Sequence, residues 1–314
     1  PSSYQVNGGA KELADTLINM IEGIADAHPD KFQIVTTPDE VIANHKKGIV
    51  SLPLGMENGA AIEDKLENVK YFADRGIRYV TLTHATDNLI CDSSYDTTGT
   101  WGGLSPFGYE VVQEMNKTGI MVDISHVSDS TFYQVLRSTS VPMIASHSSA
   151  RHFTPDFERN MSDDMITKLG EHGGVIMVNF GTSFLDGKLR ARTDSLRNVM
   201  TAELEERNFI EADSLEKAAC IEDFKTKNPY LFADVNTVAD HIDHIVKLAG
   251  INHVGFGSDF DGVGDSLPTG LKDVGAYPNL IRVLLERGYS HEDIEKICSG
   301  NVFRVWRAVA AATK

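Results

Sequence analysis

A chain of 314 residues that is 41% hydrophobic, 8% aromatic and 24% charged has the composition of a globular protein and the length of one α/β barrel. Its 29 Lys and Arg stand against 45 Asp and Glu, a formal charge of −16, and a field of that sign repels phosphate backbones and anionic lipid, so no nucleic-acid partner is expected. Cys91, Cys220 and Cys298 are odd in number and far apart, which excludes a disulfide framework or a cysteine-based zinc knuckle, and no apolar run nears the ~20 residues of a spanning helix.

Taken in chain order, Leu13, Leu17, Ile21 and Ile24 recur at helical spacing until His28-Pro29-Asp30 ends the helix. "KFQIVTT" reads as a short strand, Pro38-Asp39 opens a helix, and a strand follows from about Gly48 to Glu57. "ENVKYFADRGI" is a helix closed by Gly76, and "RYVTLTH" is the next strand. A loop rich in Gly, Ser and Thr (92–105) leads to the helix "PFGYEVVQEMNKTG" and the strand "IMVDISH". Two more helix–strand units are "DSTFYQVLRSTS" with "PMIASHS", and "DDMITKLGEHGG" with "VIMVNF". A charged, helix-prone stretch at about 186–250 is expected to be a helical insert; "HVGFGSDFDG" supplies the last strand and the end of the chain is helical.

Strands near 33, 52, 81, 123, 145, 177 and 256, mostly too apolar for a solvated face and mostly separated by helices, predict a parallel sheet. The expected α/β fold is a (β/α)8 TIM-like barrel in one unit, 1–314, whose start at Pro1 reads as cut, so that the first strand is lacking; a doubly wound open sheet competes.

In such barrels the chemistry sits at the C-terminal ends of the strands. Those ends carry Glu57, His84, His126, His147, Asn179 and Asp259. One histidine so placed reads as a hydrogen-bonded core residue. Three in register point instead to convergence on one mouth. Imidazole and carboxylate around a point suit a borderline cation such as zinc, and a shared carboxylate makes room for two metals that activate water.

"SLPLGMENG", "YVTLTHATDN", "GLSPFGYEVVQEMN", "VDISHVS", "IASHSSAR", "ERNMSDD" and "GFGSDFDG" together resemble the zinc-dependent membrane (renal-type) dipeptidases of the amidohydrolase superfamily, from about residue 10 to the end and more weakly near 185–230. The resemblance implies hydrolysis of dipeptides by a zinc-activated hydroxide, two Zn2+ per complete site, and a possible homodimer. It implies Glu57 as the carboxylate bridging the metals and His126 and His147 as ligands of the second zinc. It further implies Asp259 as the proton-handling aspartate, His84 as the group steadying the tetrahedral intermediate, and Arg159 as the partner of the substrate's terminal carboxylate.

The family's first zinc takes a His-x-Asp at the end of the first strand. The His-x-Asp at His28 to Asp30 follows a helix, and i, i+2 side chains point one way on strands. One zinc and poor turnover are therefore expected of these 314 residues. A non-catalytic relative binding at most one zinc, or a hydrolase of other amides or lactams, is the alternative. Asn58 replaces the family's usual Gly. "DFDGVGD" lacks the Glu of a calcium loop at its twelfth position, and "WGGLSPFG" lacks the Lys-Ser/Thr of a phosphate loop. Ser148 and Ser149 lie in no nucleophile elbow. His241 and His244 share an outer helix face and read as packing or supporting residues, while His152 reads as a loop contact. Asn116 and Asn160 fit the glycosylation pattern. The compartment stays open between cytoplasmic and exported.

Overall fold

Local chemistry sets the helix boundaries. Thr37, Ser105, Ser128, Ser162, Asp234 and Ser290 each accept a first-turn backbone N–H at a helix start, and Glu40 returns the bond to Thr37 in a capping box. Gly119 ends a helix in the left-handed conformation. In the computed structural model, which describes residues 2–209 and 215–313, the order is α1 (Ser2–Asn7), α2 (Ala10–Ala27), β1 (Phe32–Val35), α3 (Pro38–Lys46), β2 (Val50–Glu57), α4 (Glu67–Asp74) and β3 (Ile77–Thr81). There follow α5 (Pro106–Thr118), β4 (Met121–Asp123), α6 (Asp129–Ser138), β5 (Ile144–Ala145), α7 (Asp163–Glu171), β6 (Val175–Val178), α8 (Thr182–Leu185), α9 (Gly187–Glu206) and α10 (Leu215–Lys227). The chain closes with α11 (Val235–Ala249), β7 (Val254–Phe256), α12 (Tyr277–Glu286), α13 (His291–Glu295) and α14 (Asn301–Ala311).

The seven strands lie in one parallel sheet in sequence order, curled like part of a TIM-like barrel and clad in helices. β1 pairs with the first half of β2, Val50 to Pro53, and β3 pairs with its second half, Leu54 to Glu57, across a register shift between Leu54 and Gly55. From there Thr81 lies beside Asp123 and Asp123 beside Ile144, so the strand ends form one rim.

Two apolar clusters separate the faces of the sheet. Leu54, Met56, Val80, Val122, Ala145, Ile176, Val178 and Val254 pack outward against the helices. The alternate residues Tyr79, Met121, Ile144, Val175 and Met177 face the hollow, where Val305, Trp306 and Val309 of α14 meet them. Gly55 belongs to this inner row because a Cβ there would stand 2.1 Å from the Tyr79 ring. Carrying the same alternation toward the rim gives Glu57, Thr81, Asp123, Ser146 and Asn179. The sheet therefore changes from an apolar hollow to a polar mouth within one or two residues per strand.

No helix among the described residues is long and apolar enough to cross a membrane. Asn116 and Asn160 are 7% and 0% exposed, so neither is open to a glycan in the folded chain.

Candidate functional site

The mouth brings three of the expected residues into mutual contact. Glu57 Oε1 lies 3.1 Å from His126 Nε2 and 3.1 Å from His147 Nε2, and the two ring nitrogens are 2.9 Å apart. His84 joins from the loop after β3, its Nε2 3.8 Å from Glu57 Oε1 and its ring 4.3 Å from that of His126.

A second row of polar groups fixes the chemical state of His147. Asp123 is fully buried and accepts four hydrogen bonds: from the Thr81 hydroxyl (2.5 Å), the Ser125 N–H (3.1 Å), the Ser146 N–H (2.9 Å) and the Ser146 hydroxyl (2.5 Å). Because the Ser146 hydroxyl donates to Asp123, it must accept from His147 Nδ1, 2.7 Å away. The proton of His147 therefore sits on Nδ1, and Nε2 turns a lone pair toward Glu57. A carboxylate that orients an imidazole through a hydroxyl is the supporting arrangement metal-ligating histidines use.

His126 is held differently. It is 6% exposed, and its φ of 70° lies in the left-handed region that non-glycine residues seldom adopt. The Ser94 N–H clamps its carbonyl at 2.7 Å, so the loop after β3 secures the strained backbone. Burial pushes its imidazole down to about 3, with the Arg159 charge adding to the effect, which keeps the ring neutral. Its Nδ1 is buried with no hydrogen-bond partner among the described residues. The neighbouring His126 and His147 side chains hold Glu57 ionised, far below the ordinary carboxylate range.

This donor set fits a divalent cation. A carboxylate oxygen and two imidazole nitrogens within 3.1 Å of one another repel unless a positive charge lies among them, and Zn–N and Zn–O bonds of about 2.0–2.2 Å put ligand atoms about 3 Å apart. The carboxylate is already ionised and His126 already neutral, so a cation need displace few protons.

Two further expected residues flank the cluster. Asp259 follows β7 with φ 55° and accepts from Asn179 Nδ2 at 2.9 Å, while Asn179 Oδ1 holds the Gly181 N–H. The Gly262 N–H bonds the Asp259 carbonyl, and a Cβ on Gly262 would stand 1.9 Å from the Asp259 carboxylate, so only glycine leaves that carboxylate its place. Arg159 is 3% exposed and spends two donors inside the protein, on Ser148 Oγ (2.7 Å) and the His147 carbonyl (2.8 Å), while its Nε has no partner among the described residues. It thus braces the His147 backbone and brings buried positive charge to the mouth. His28 and Asp30 lie in the exposed turn before β1, at the opposite end of the strands.

Sequence reasoning passed over Asp123, Ser146, Thr81 and Ser94. The available signal was period two: Asp123 sits inside an apolar strand in the phase of Glu57 and Asn179.

Candidate metal ligands gathered at the C-terminal mouth of a curled parallel sheet are the arrangement of a metal-dependent TIM-like barrel. The particular group follows from comparison: the family model described as membrane dipeptidase (peptidase family M19) matches residues 3–314, and the chain belongs to that metal-dependent family. It is 35% identical over 301 residues to an uncharacterized dipeptidase of Schizosaccharomyces pombe, covering 94% of this chain and 62% of the relative. It is 32% identical over 292 residues to the dipeptidase tcpJ of Claviceps purpurea, covering 93% of this chain and 59% of the relative. The chain thus spans about three fifths of the length of these curated relatives. Among solved structures, the probable dipeptidase PvdM from Pseudomonas aeruginosa superposes with a TM-score of 0.84 at 26% identity, covering 100% of this chain and 82% of that one. A metallo peptidase from Rhodobacter sphaeroides, liganded with a phosphinate mimic of the dipeptide L-Ala-D-Ala, superposes with a TM-score of 0.75 at 25% identity, covering 95% and 75%.

Proposed function

We propose that these 314 residues form one metal-dependent hydrolase unit that cleaves dipeptides with zinc held by Glu57, His126 and His147. The observation that carries this reading is the convergence of one carboxylate oxygen and two imidazole nitrogens within 3.1 Å of each other at the sheet mouth. Glu57 is 48% exposed at its side chain and uses Oε1 toward the imidazoles, so its carboxylate would also be available to help hold a second ion in a complete site. Bound zinc supplies Lewis acidity, polarising the scissile carbonyl and lowering the pKa of water.

The chain's own residues do the rest. Asp259, oriented by Asn179 and left clear by Gly262, takes the proton of the attacking water and returns it to the leaving amine. His84, half-exposed beside Glu57, donates to the developing oxyanion. Burial pushes its imidazole below the ordinary histidine range, so it donates as a neutral ring. Arg159 attracts the substrate's terminal carboxylate with its remaining N–H donors while bracing the carbonyl of His147. The phosphinate dipeptide mimic on the Rhodobacter sphaeroides relative supports the substrate class.

The test is hydrolysis of L-Ala-L-Ala and L-Ala-D-Ala by the protein after chelation and after zinc is restored. Zinc-dependent turnover that Glu57→Gln abolishes is expected. Zinc uptake with no turnover of any dipeptide would identify a non-catalytic metal-binding relative instead.

A further inference from the structure

A second group of metal-ligating side chains lies outside the mouth and shares no residue with it. His152 comes from the 3-10 turn Arg151–Phe153, Asp163 is the first residue of α7, and His244 is in the middle of α11. His244 Nε2 lies 2.8 Å from Asp163 Oδ1, and the rings of His152 and His244 stack at 4.3 Å with 20° between planes. One ligand atom from each of the three falls within 4.8 Å of the others. His152 is exposed, and neither of its ring nitrogens bonds to a described residue, so its orientation is set by stacking alone.

Stacking two imidazoles beside a single carboxylate is not the best use of these groups. His244 and Asp163 satisfy each other at 2.8 Å, whereas the stacked His152 ring has no polar partner among the described residues. One divalent ion satisfies all three. Two nitrogens and an oxygen are borderline donors that suit zinc, and the turn of an exposed His152 ring about its side-chain bonds brings a nitrogen to face His244 and Asp163.

We propose that His152, Asp163 and His244 form a second zinc site, which staples the loop carrying Arg159 to α11. The loop leaves His147 and returns at α7, so His152 and Asp163 bracket Arg159 from both sides. α11 already grips that loop one turn earlier, where buried His241 accepts from the Ala150 N–H at 3.1 Å. An ion at His244 adds a second hold on the same segment.

Metal-free protein titrated with Zn2+ by calorimetry, with Tm followed in parallel, tests the assignment. The wild type should show a class of site that raises Tm and that persists in Glu57→Gln. The same class should weaken at least ~10-fold in His152→Ala and His244→Ala, with about one zinc per chain fewer at equilibrium dialysis. His152→Ala removes an exposed ring and leaves the fold intact, and His152→Asn provides a second variant with the stack disrupted. Zinc isotherms and Tm responses identical between wild type and both His152 variants would overturn the proposal. Loss of binding only in Glu57→Gln would likewise overturn it, while leaving the site at the mouth standing.

Discussion

His126 at the mouth of the sheet and His241 on α11 are both buried imidazoles whose proton affinity burial lowers, to about 3 and about 4. Their surroundings differ in every other respect. His241 has both nitrogens satisfied: Nδ1 accepts from the Ala150 N–H, which leaves Nε2 to donate to the Leu185 carbonyl at 2.9 Å. His126 sits on a left-handed backbone, keeps an Nδ1 with no partner among the described residues and turns Nε2 toward a carboxylate and a second imidazole. Burial and a depressed pKa are thus shared by a packing residue and a proposed ligand. Backbone strain and unreconciled lone pairs tell them apart.

The sharpest way to break this contrast is at Glu57. Glu57→Gln removes the only negative charge in the cluster, so dipeptide kcat/KM should fall about 10³-fold or more, roughly 4 kcal/mol, with loss of tightly bound zinc by mass spectrometry. Asp123→Asn comes next. An amide in place of the carboxylate cannot accept all four hydrogen bonds, two of which hold Ser146 and so His147, and zinc affinity should weaken about 10–100-fold in a competition assay. Gly262→Ala pushes the Asp259 carboxylate from its place, and a displacement near 1 Å should lower kcat about 10²-fold while zinc content stays at the wild-type level.

The last effect belongs to His241, on stability and not on activity, and sharpens the other side of the comparison. Its folded-state value of about 4 lies below the ordinary value of 6.5. Between those values the unfolded chain binds a proton that the folded chain refuses, because a proton on Nδ1 would meet the Ala150 N–H. The stabilisation is complete above about pH 6.5 and is lost as pH falls toward about 4, on the order of 3 kcal/mol in all. Urea midpoints measured across that window should fall for the wild type. His241→Gln should start about 1–3 kcal/mol lower at pH 7 and show a flatter acid limb. Equal slopes would place the acid sensitivity elsewhere.

Much of the frame was legible in the sequence. All seven strands fall where apolar runs ended by Gly or polar residues place them, and β3 to β7 are mostly buried on both faces, which only a near-continuous apolar run can encode. Glu57, His126 and His147 were visible as polar residues closing such runs. Asp123 and Ser146 were not, since a buried polar residue inside a run declares itself only when neighbouring strands supply its donors. The same reason hid the pairing of Asp163 with His244, 81 residues apart and joined only by the packing of α7 on α11. The filling of the hollow by α14 depends on curl, which no local pattern encodes.

Anomalous diffraction at the zinc edge, on crystals of the protein grown with zinc, reaches the central claim most directly. The account predicts a peak bonded at about 2.0–2.2 Å to Glu57, His126 Nε2 and His147 Nε2. A mouth with no peak, while those three side chains keep their positions, would contradict it.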